Sequence, residues 1–240
     1  MSRRANRFTM DEVRAFWDGV AAGYERENEL VGWVHAQRFR EAMKRFACRP
    51  GMRVLNIWSR TGGAIPYLRA SCADARLVNA ELSLAMLATA RRRYPAEAFV
   101  QTSLDALPFA PASFDAAVSL ETLEHVPDPM LFLREVRRVI VSGGLLVMSL
   151  PPDTAEWTGM LNRLFGFHHG EGPHRFIAPG VVKTMLAESG FELAEHRGTL
   201  FLPLKSAFFE KADARLSGLL GGGPLARFGL RQFYVCTASR

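Results

Sequence analysis

The chain has 240 residues, 48% of them apolar, and 30 Lys+Arg against 24 Asp+Glu for a net charge of +6; with a mean hydropathy of zero this describes an ordinary soluble globule, one α/β domain with an appendage. Only four of the cations are lysine, and the arginines at Arg3, Arg4, Arg7 and Arg91-Arg92-Arg93 form no basic face interleaved with aromatics, which argues against nucleic-acid binding. Cys48, Cys72 and Cys236 are odd in number, widely spaced and without a CxxC pair, so neither a disulfide framework nor a zinc site is expected, and with a charged N-terminus lacking an apolar signal core the chain suits a reducing cytoplasm.

Residues 10 to 47 have the apolar spacing of two helices, with Phe16, Trp17, Val20 and Tyr24 at helical spacing in the first and Leu30, Val34, Phe39, Met43 and Phe46 in the second. Pro50-Gly51 breaks the chain before the first strand. Then comes an alternation: strand 53–58, helix 63–72, strand 76–81, helix 83–93, strand 97–101, strand 114–120, helix 129–141, strand 145–150. Alternating strands and helices point to a parallel sheet covered on both faces. The longest apolar stretch, Val139 to Leu150, is broken by Ser142-Gly143-Gly144 and is too short to span a bilayer. Residues 151–176 change character: a short amphipathic helix with Trp157, Leu161, Leu164 and Phe165 runs into a loop rich in glycine and histidine. Helix 179–189, strand 191–197, helix 204–220 and strand 229–238 complete a single domain, with residues 1–50 as N-terminal helices and 151–176 as an insertion.

Ligands of such sheets bind at the carboxyl ends of the strands, and four ends carry informative residues. Arg53 to Trp58 reads as a buried strand, and Ser59 to Gly63 as a strand-to-helix turn in which glycine backbone can approach a ligand and free helix N–H groups can bind it. The turn keeps Gly62 and Gly63, but Trp58 and Arg60 stand where small residues are expected. The second strand ends in Glu81, with Leu82 and Met86 following. A carboxylate there either accepts two bonds from a ribose diol or answers the dipole of the next helix. The third leads to Ser103, Leu104 and Asp105, the fourth to Glu121, Glu124 and His125.

Together the segments NAELSLAMLATAR, SLDALPFAPASFDAAVSLETLEHVPDP and REVRRVIVSGGLLVMSLPP resemble class I S-adenosylmethionine-dependent methyltransferases, particularly the type 11 small-molecule group that includes quinone-biosynthesis enzymes. The resemblance covers residues 10 to 238. It implies a Rossmann-like, seven-stranded, mostly parallel α/β sheet with helices on both faces and an antiparallel last strand. It implies S-adenosyl-L-methionine as cofactor, Glu81 on the ribose, Leu82 and Met86 flanking the adenine, Ser103, Leu104 and Asp105 at its edge, Tyr24 closing over it, and Asn56, Trp58, Ser59, Arg60, Gly62 and Glu121 around the methionine half.

Where the family has an acidic residue followed by alternate glycines, this chain has Asn56, Trp58, Arg60 and Gly62. Either Trp58 packs into the core and Arg60 grips the cofactor carboxylate, or Trp58 occupies the methionine pocket. His125 and Glu124 are the candidate bases for an acceptor hydroxyl. Glu121, Glu124 and His125 also match a metal-holding run of some quinone O-methyltransferases, against the plainer role of bracing the turn before Pro127. His168, His169, Glu171, His174 and Arg175 suggest a lid, with His174 or Arg175 facing an anionic substrate. The expected function is methylation of an oxygen, nitrogen or carbon of a small, quinone-like, lipid-like or natural-product acceptor. The alternative is a catalytically silent methyltransferase-like binding protein.

Overall fold

Residues 10 to 43 form three helices rather than two: α1 (Met10–Val20), α2 (Tyr24–Leu30) and α3 (Gly32–Met43). Thr9 starts α1 through a capping box with Glu12, whose carboxylate takes the Thr9 N–H while Thr9 Oγ1 accepts from Glu12 N. A turn at residues 21–23 ends it before the apolar spacing does, and Tyr24 opens a second helix. The computed structural model describes residues 6–30, 32–156, 172–204 and 206–240. The helix expected around Trp157, Leu161, Leu164 and Phe165, and the loop residues His168, His169 and Glu171, lie outside the described residues.

Seven strands then form one sheet: β1 (Arg53–Ile57), β2 (Arg76–Glu81), β3 (Ala98–Gln101), β4 (Phe114–Leu120), β5 (Ile140–Leu150), β6 (Phe191–Thr199) and β7 (Arg231–Ala238). The helices α4 (Ile65–Ser71), α5 (Leu84–Arg93), α6 (Pro129–Val139), α7 (Pro179–Glu188) and α8 (Ala207–Leu220) connect them. The order across the sheet is β3-β2-β1-β4-β5-β7-β6, parallel except for β7, which runs antiparallel between β5 and β6. This is the architecture expected. β5 begins at Ile140, five residues earlier than its apolar run suggests, and crosses the glycine pair before settling into register with β4 at Leu145.

Val54, Leu55 and Ile57 are buried, as are all residues of β4 except Asp115. Parallel strands covered on both faces read as continuous apolar runs for this reason. One core layer holds Leu55, Ile57, Leu82, Met86, Phe132 and Leu133 together with Val13 and Trp17 of α1. The other holds Val54, Leu77, Val118 and Phe233 with Ile65 and Leu68 of α4 and Ala42 of α3. The N-terminal helices therefore cover both faces at the end of the sheet where the chemistry of this fold takes place.

One expectation is overturned. Cys48 and Cys72 are joined in a disulfide with Cα atoms 5.7 Å apart, tying the segment after α3 to the end of α4. A separation of 24 residues hid the pair, because only the tertiary packing of α4 under that segment brings them together. Closing such a loop contributes about 3 kcal/mol in the chain-entropy account. Protein purified without reductant is thus expected to show one thiol per denatured chain, the buried Cys236. Reduction should raise the count to three and lower the unfolding free energy by about 2–4 kcal/mol; three thiols before reduction would rule the bond out.

Candidate active site

The sheet order reverses between β1 and β4, and an open α/β sheet has its ligand crevice at the carboxyl ends of the strands beside such a switch point. A cleft of about 440 Å³ lies there, between α2, α3 and the start of α4, with His35, Arg38, Phe39, Ser59, Arg60 and Tyr67 among its walls.

The β1–α4 turn keeps a glycine-loop backbone without the glycines. Trp58 and Arg60 adopt φ of 55° and 50°. That left-handed conformation costs a residue with a β-carbon roughly 1–2 kcal/mol. Gly62, at φ 87°, has no alternative, since a β-carbon there would meet the Tyr94 ring at 2.8 Å. The two substituted side chains compensate by packing. Trp58 is 3% exposed, with its ring centroid 5.1 Å from His125 and 5.5 Å from Trp17, both edge-on. The Arg60 guanidinium lies 4.3 Å over Trp17 and 4.7 Å over Trp58, and donates to Tyr24 Oη at 3.3 Å and to the Glu121 carbonyl at 3.0 Å. Arg60 is thus held within the protein's own aromatic cluster, and Trp58 lies in the core.

Asn56 is also spent internally, its amide donating to Asn79 Oδ1 at 2.9 Å across the β1–β2 register. Glu81 has no exposed surface. One oxygen accepts from Ser83 N at 2.9 Å and the other from Arg60 N. Burial pushes its carboxyl up to about 7 against the pull of those N–H groups. Leu82, Met86 and Leu104 are likewise fully buried. Ser103 and Asp105 sit together at the β3 end, the serine hydroxyl donating to the carboxylate.

At the β4 end Glu121, itself left-handed at φ 54°, is clamped between Arg38 of α3 and Arg231 of β7. Burial alone would raise its pKa, but the two guanidiniums overcome this and hold the carboxyl far below the usual range. Arg38, Arg231 and the nearby His35 were not singled out in the sequence, where each is an ordinary residue of an amphipathic element. Burial, then Arg38, pushes His35 down to about 2.

His125 follows in a short 3-10 turn, 4% exposed, its Nδ1–H donating to the Pro173 carbonyl at 2.9 Å. Burial, then Arg60, drives its pKa well below 6.5, so the ring is neutral. Glu124 Oε1 is 3.9 Å from His125 Nε2, and the Glu124 carbonyl accepts from Arg175 N at 2.8 Å. The His174 ring lies 5.8 Å from that of His125. The fold therefore does bring His174 and Arg175 to the β4 end. It does not make Glu121, Glu124 and His125 a metal centre: Glu121 faces two arginines, and among the described residues no three His, Cys, Asp or Glu side chains converge for an ion.

A seven-stranded sheet of this order, with its crevice at the β1–β4 reversal and an acid closing β2, defines the class I methyltransferase architecture. Residues 55–148 match the methyltransferase domain family. A demethylmenaquinone methyltransferase of Renibacterium salmoninarum is 37% identical over 153 residues, 62% of each chain. The chain spans about three fifths of the length of the first such curated relatives. In fold it is similar to a S-adenosylmethionine-dependent methyltransferase of Thermotoga maritima, with a TM-score of 0.71 at 20% identity over 94% of this chain and 99% of that one. It is also similar to a chain from a complex with the Trm112 methyltransferase activator of Haloferax volcanii, with a TM-score of 0.74 at 19% identity over 93% and 98%.

The crevice can be tested against that cofactor directly. The residue types of the adenosine half are in place, but Glu81, Leu82, Met86 and Leu104 have no exposed surface, and both Glu81 oxygens already have donors. Trp58 and Arg60 fill the turn where the methionine half would approach the backbone. In this closed arrangement Trp58, Leu82, Met86 and Leu104 pack in one cluster where the cofactor would lie.

Proposed function

We propose that the chain is an enzyme that methylates a small molecule at the expense of S-adenosylmethionine, with a quinone-like ring as the preferred class of acceptor. The observation that supports this most is the unbroken match of residues 55–148, which spans the turn, Glu81, the β3 end and the β4 end on the sheet that positions them. The similarity to a demethylmenaquinone methyltransferase points to the acceptor class.

In this reading the chain's own residues hold the acceptor and manage its proton. His125 is neutral before the reaction and with Glu124 takes up a proton from an acidic hydroxyl such as that of a quinol; His174 and Arg175 face the acceptor's polar side. The 440 Å³ cleft walled by Tyr24, Phe39 and Tyr67 receives the ring. No helix among the described residues is long and apolar enough to cross a membrane. We place the protein in the cytoplasm, where the Cys48–Cys72 disulfide would be open to reduction.

Transfer of a labelled methyl group to a demethylated naphthoquinol, together with titration of S-adenosylhomocysteine, tests the reading. Product formation is expected. Absence of both transfer and binding at millimolar ligand would leave a methyltransferase fold serving only as a binding protein.

A further inference from the structure

We propose that α1 and the β1–α4 turn form a stopper over the cofactor crevice, with Trp17, Trp58 and Arg60 as its body and the contact between α1 and α5 as its latch. The proposal rests on the methyltransferase reading, because it concerns how that crevice comes to admit its ligand.

The stopper is built from both sides. From below, the turn sends up Trp58 and Arg60 from left-handed positions. From above, α1 sends down Trp17, 2% exposed, which meets Trp58 edge-on and takes the Arg60 guanidinium on its face. Cation–π contact with two indoles holds the guanidinium between them. Besides the core packing of Val13 and Trp17, the helix is hydrogen-bonded to the crevice rim through Asp18. Asp18 Oδ1 accepts from Ser83 Oγ at 2.5 Å and from Ala85 N at 3.2 Å, the N-cap and first turn of α5, directly after Glu81 and Leu82. Undocking α1 therefore withdraws Trp17 from the crevice and frees the rim where a nucleoside would lie.

Two features make the closed form one that can yield. The Trp58 indole N–H is buried without an acceptor among the described residues, and burying a polar group so disfavours the state that contains it. The left-handed Trp58 and Arg60 add backbone strain to the same state. Glu81 completes the device. Its carboxylate ties the turn at Arg60 N to the α5 terminus at Ser83 N, so the two halves of the stopper share one buried acid as a hinge.

A ligand that binds only an open minor form has its affinity reduced by that form's population. Titration calorimetry with S-adenosylhomocysteine on the intact chain, Trp17→Ala and Asp18→Ala tests this, with hydrogen exchange of α1 amides read in parallel. Binding about tenfold tighter is expected for Trp17→Ala and about threefold tighter for Asp18→Ala, and saturating ligand should accelerate exchange in α1 of the unmodified chain. Equal affinity of the unmodified chain and Asp18→Ala, with α1 exchange unchanged or slowed, overturns the stopper while leaving the methyltransferase reading standing. No binding by any folded variant at millimolar ligand overturns both. Should Trp17→Ala fail to fold, Asp18→Ala and the exchange data decide.

Discussion

Glu121→Ala is expected to lower the unfolding free energy by about 3–5 kcal/mol, because it strands two buried cations. The side chains of Arg38 and Arg231 are only 5% and 6% exposed, and Glu121 is the carboxylate that both contact. Gln37 and the Val34 carbonyl also accept from Arg231, but neither carries charge. The left-handed backbone at residue 121 is retained in the variant, so its strain cancels in the comparison. Replacing all three members with apolar residues of similar size should recover most of the loss, since the desolvation cost disappears with the charges. Urea unfolding of the single and triple variants decides it; a loss below about 1 kcal/mol for Glu121→Ala would mean water solvates the clamp as it does a surface pair. Glu121 is thus a structural residue here, set aside for the clamp rather than for a cofactor.

The second large effect is with pH. His35, held near 2, and His125, held well below 6.5, stay neutral in the folded chain, while their unfolded counterparts take up protons below about 6.5. The unfolded state then binds more protons, and stability falls as the pH drops. Glu81 acts in the opposite sense. Its folded carboxyl, raised to about 7, holds a proton that the unfolded chain loses above about 4.5, so its contribution is present at low pH and fades as pH rises to 7. Two histidines against one glutamate leave about one proton between pH 4.5 and 6.5, a slope of about 1.4 kcal/mol per unit. His196, also shifted down by burial, adds to the same side. Stability should peak near pH 6.5–7 and decline on the acid side, and Glu81→Gln should steepen the acid arm towards two protons. A profile flat from pH 5 to 6.5 would contradict the burial of these groups.

Much of the sheet was legible because its strands are buried on both faces, so that segments such as Val54–Ile57 and Ala116–Leu120 show as apolar runs bounded by turn residues. The antiparallel direction of β7 came through resemblance, since an apolar run does not reveal its own direction; its place between β5 and β6 was not foreseen. The identities at the strand ends were readable too, but their exposure was not. Glu81 looks in sequence like an acid waiting for a ribose; only the fold shows both its oxygens bonded to backbone. Arg38 and Arg231 were invisible for a related reason: a buried arginine and a solvated one have the same letter, and the carboxylate that joins them lies on a third element. Trp17 was readable as an apolar helix face, but not the partner that face meets. Of the two paths open to Trp58, the structure shows the ring in the core, yet Arg60 joins it there rather than reaching for a ligand.

β7 reaches back between β5 and β6, and it brings Arg231 to Glu121. A nascent chain emerging from the ribosome can assemble β1 to β5 early, but β6 has no partner in the sheet until residues 231–238 are made. Until then β5 presents an open edge and Glu121 lacks the second arm of its clamp. Closure of the sheet therefore waits on β7, and aggregation during synthesis should be governed by how long that gap stays unfilled.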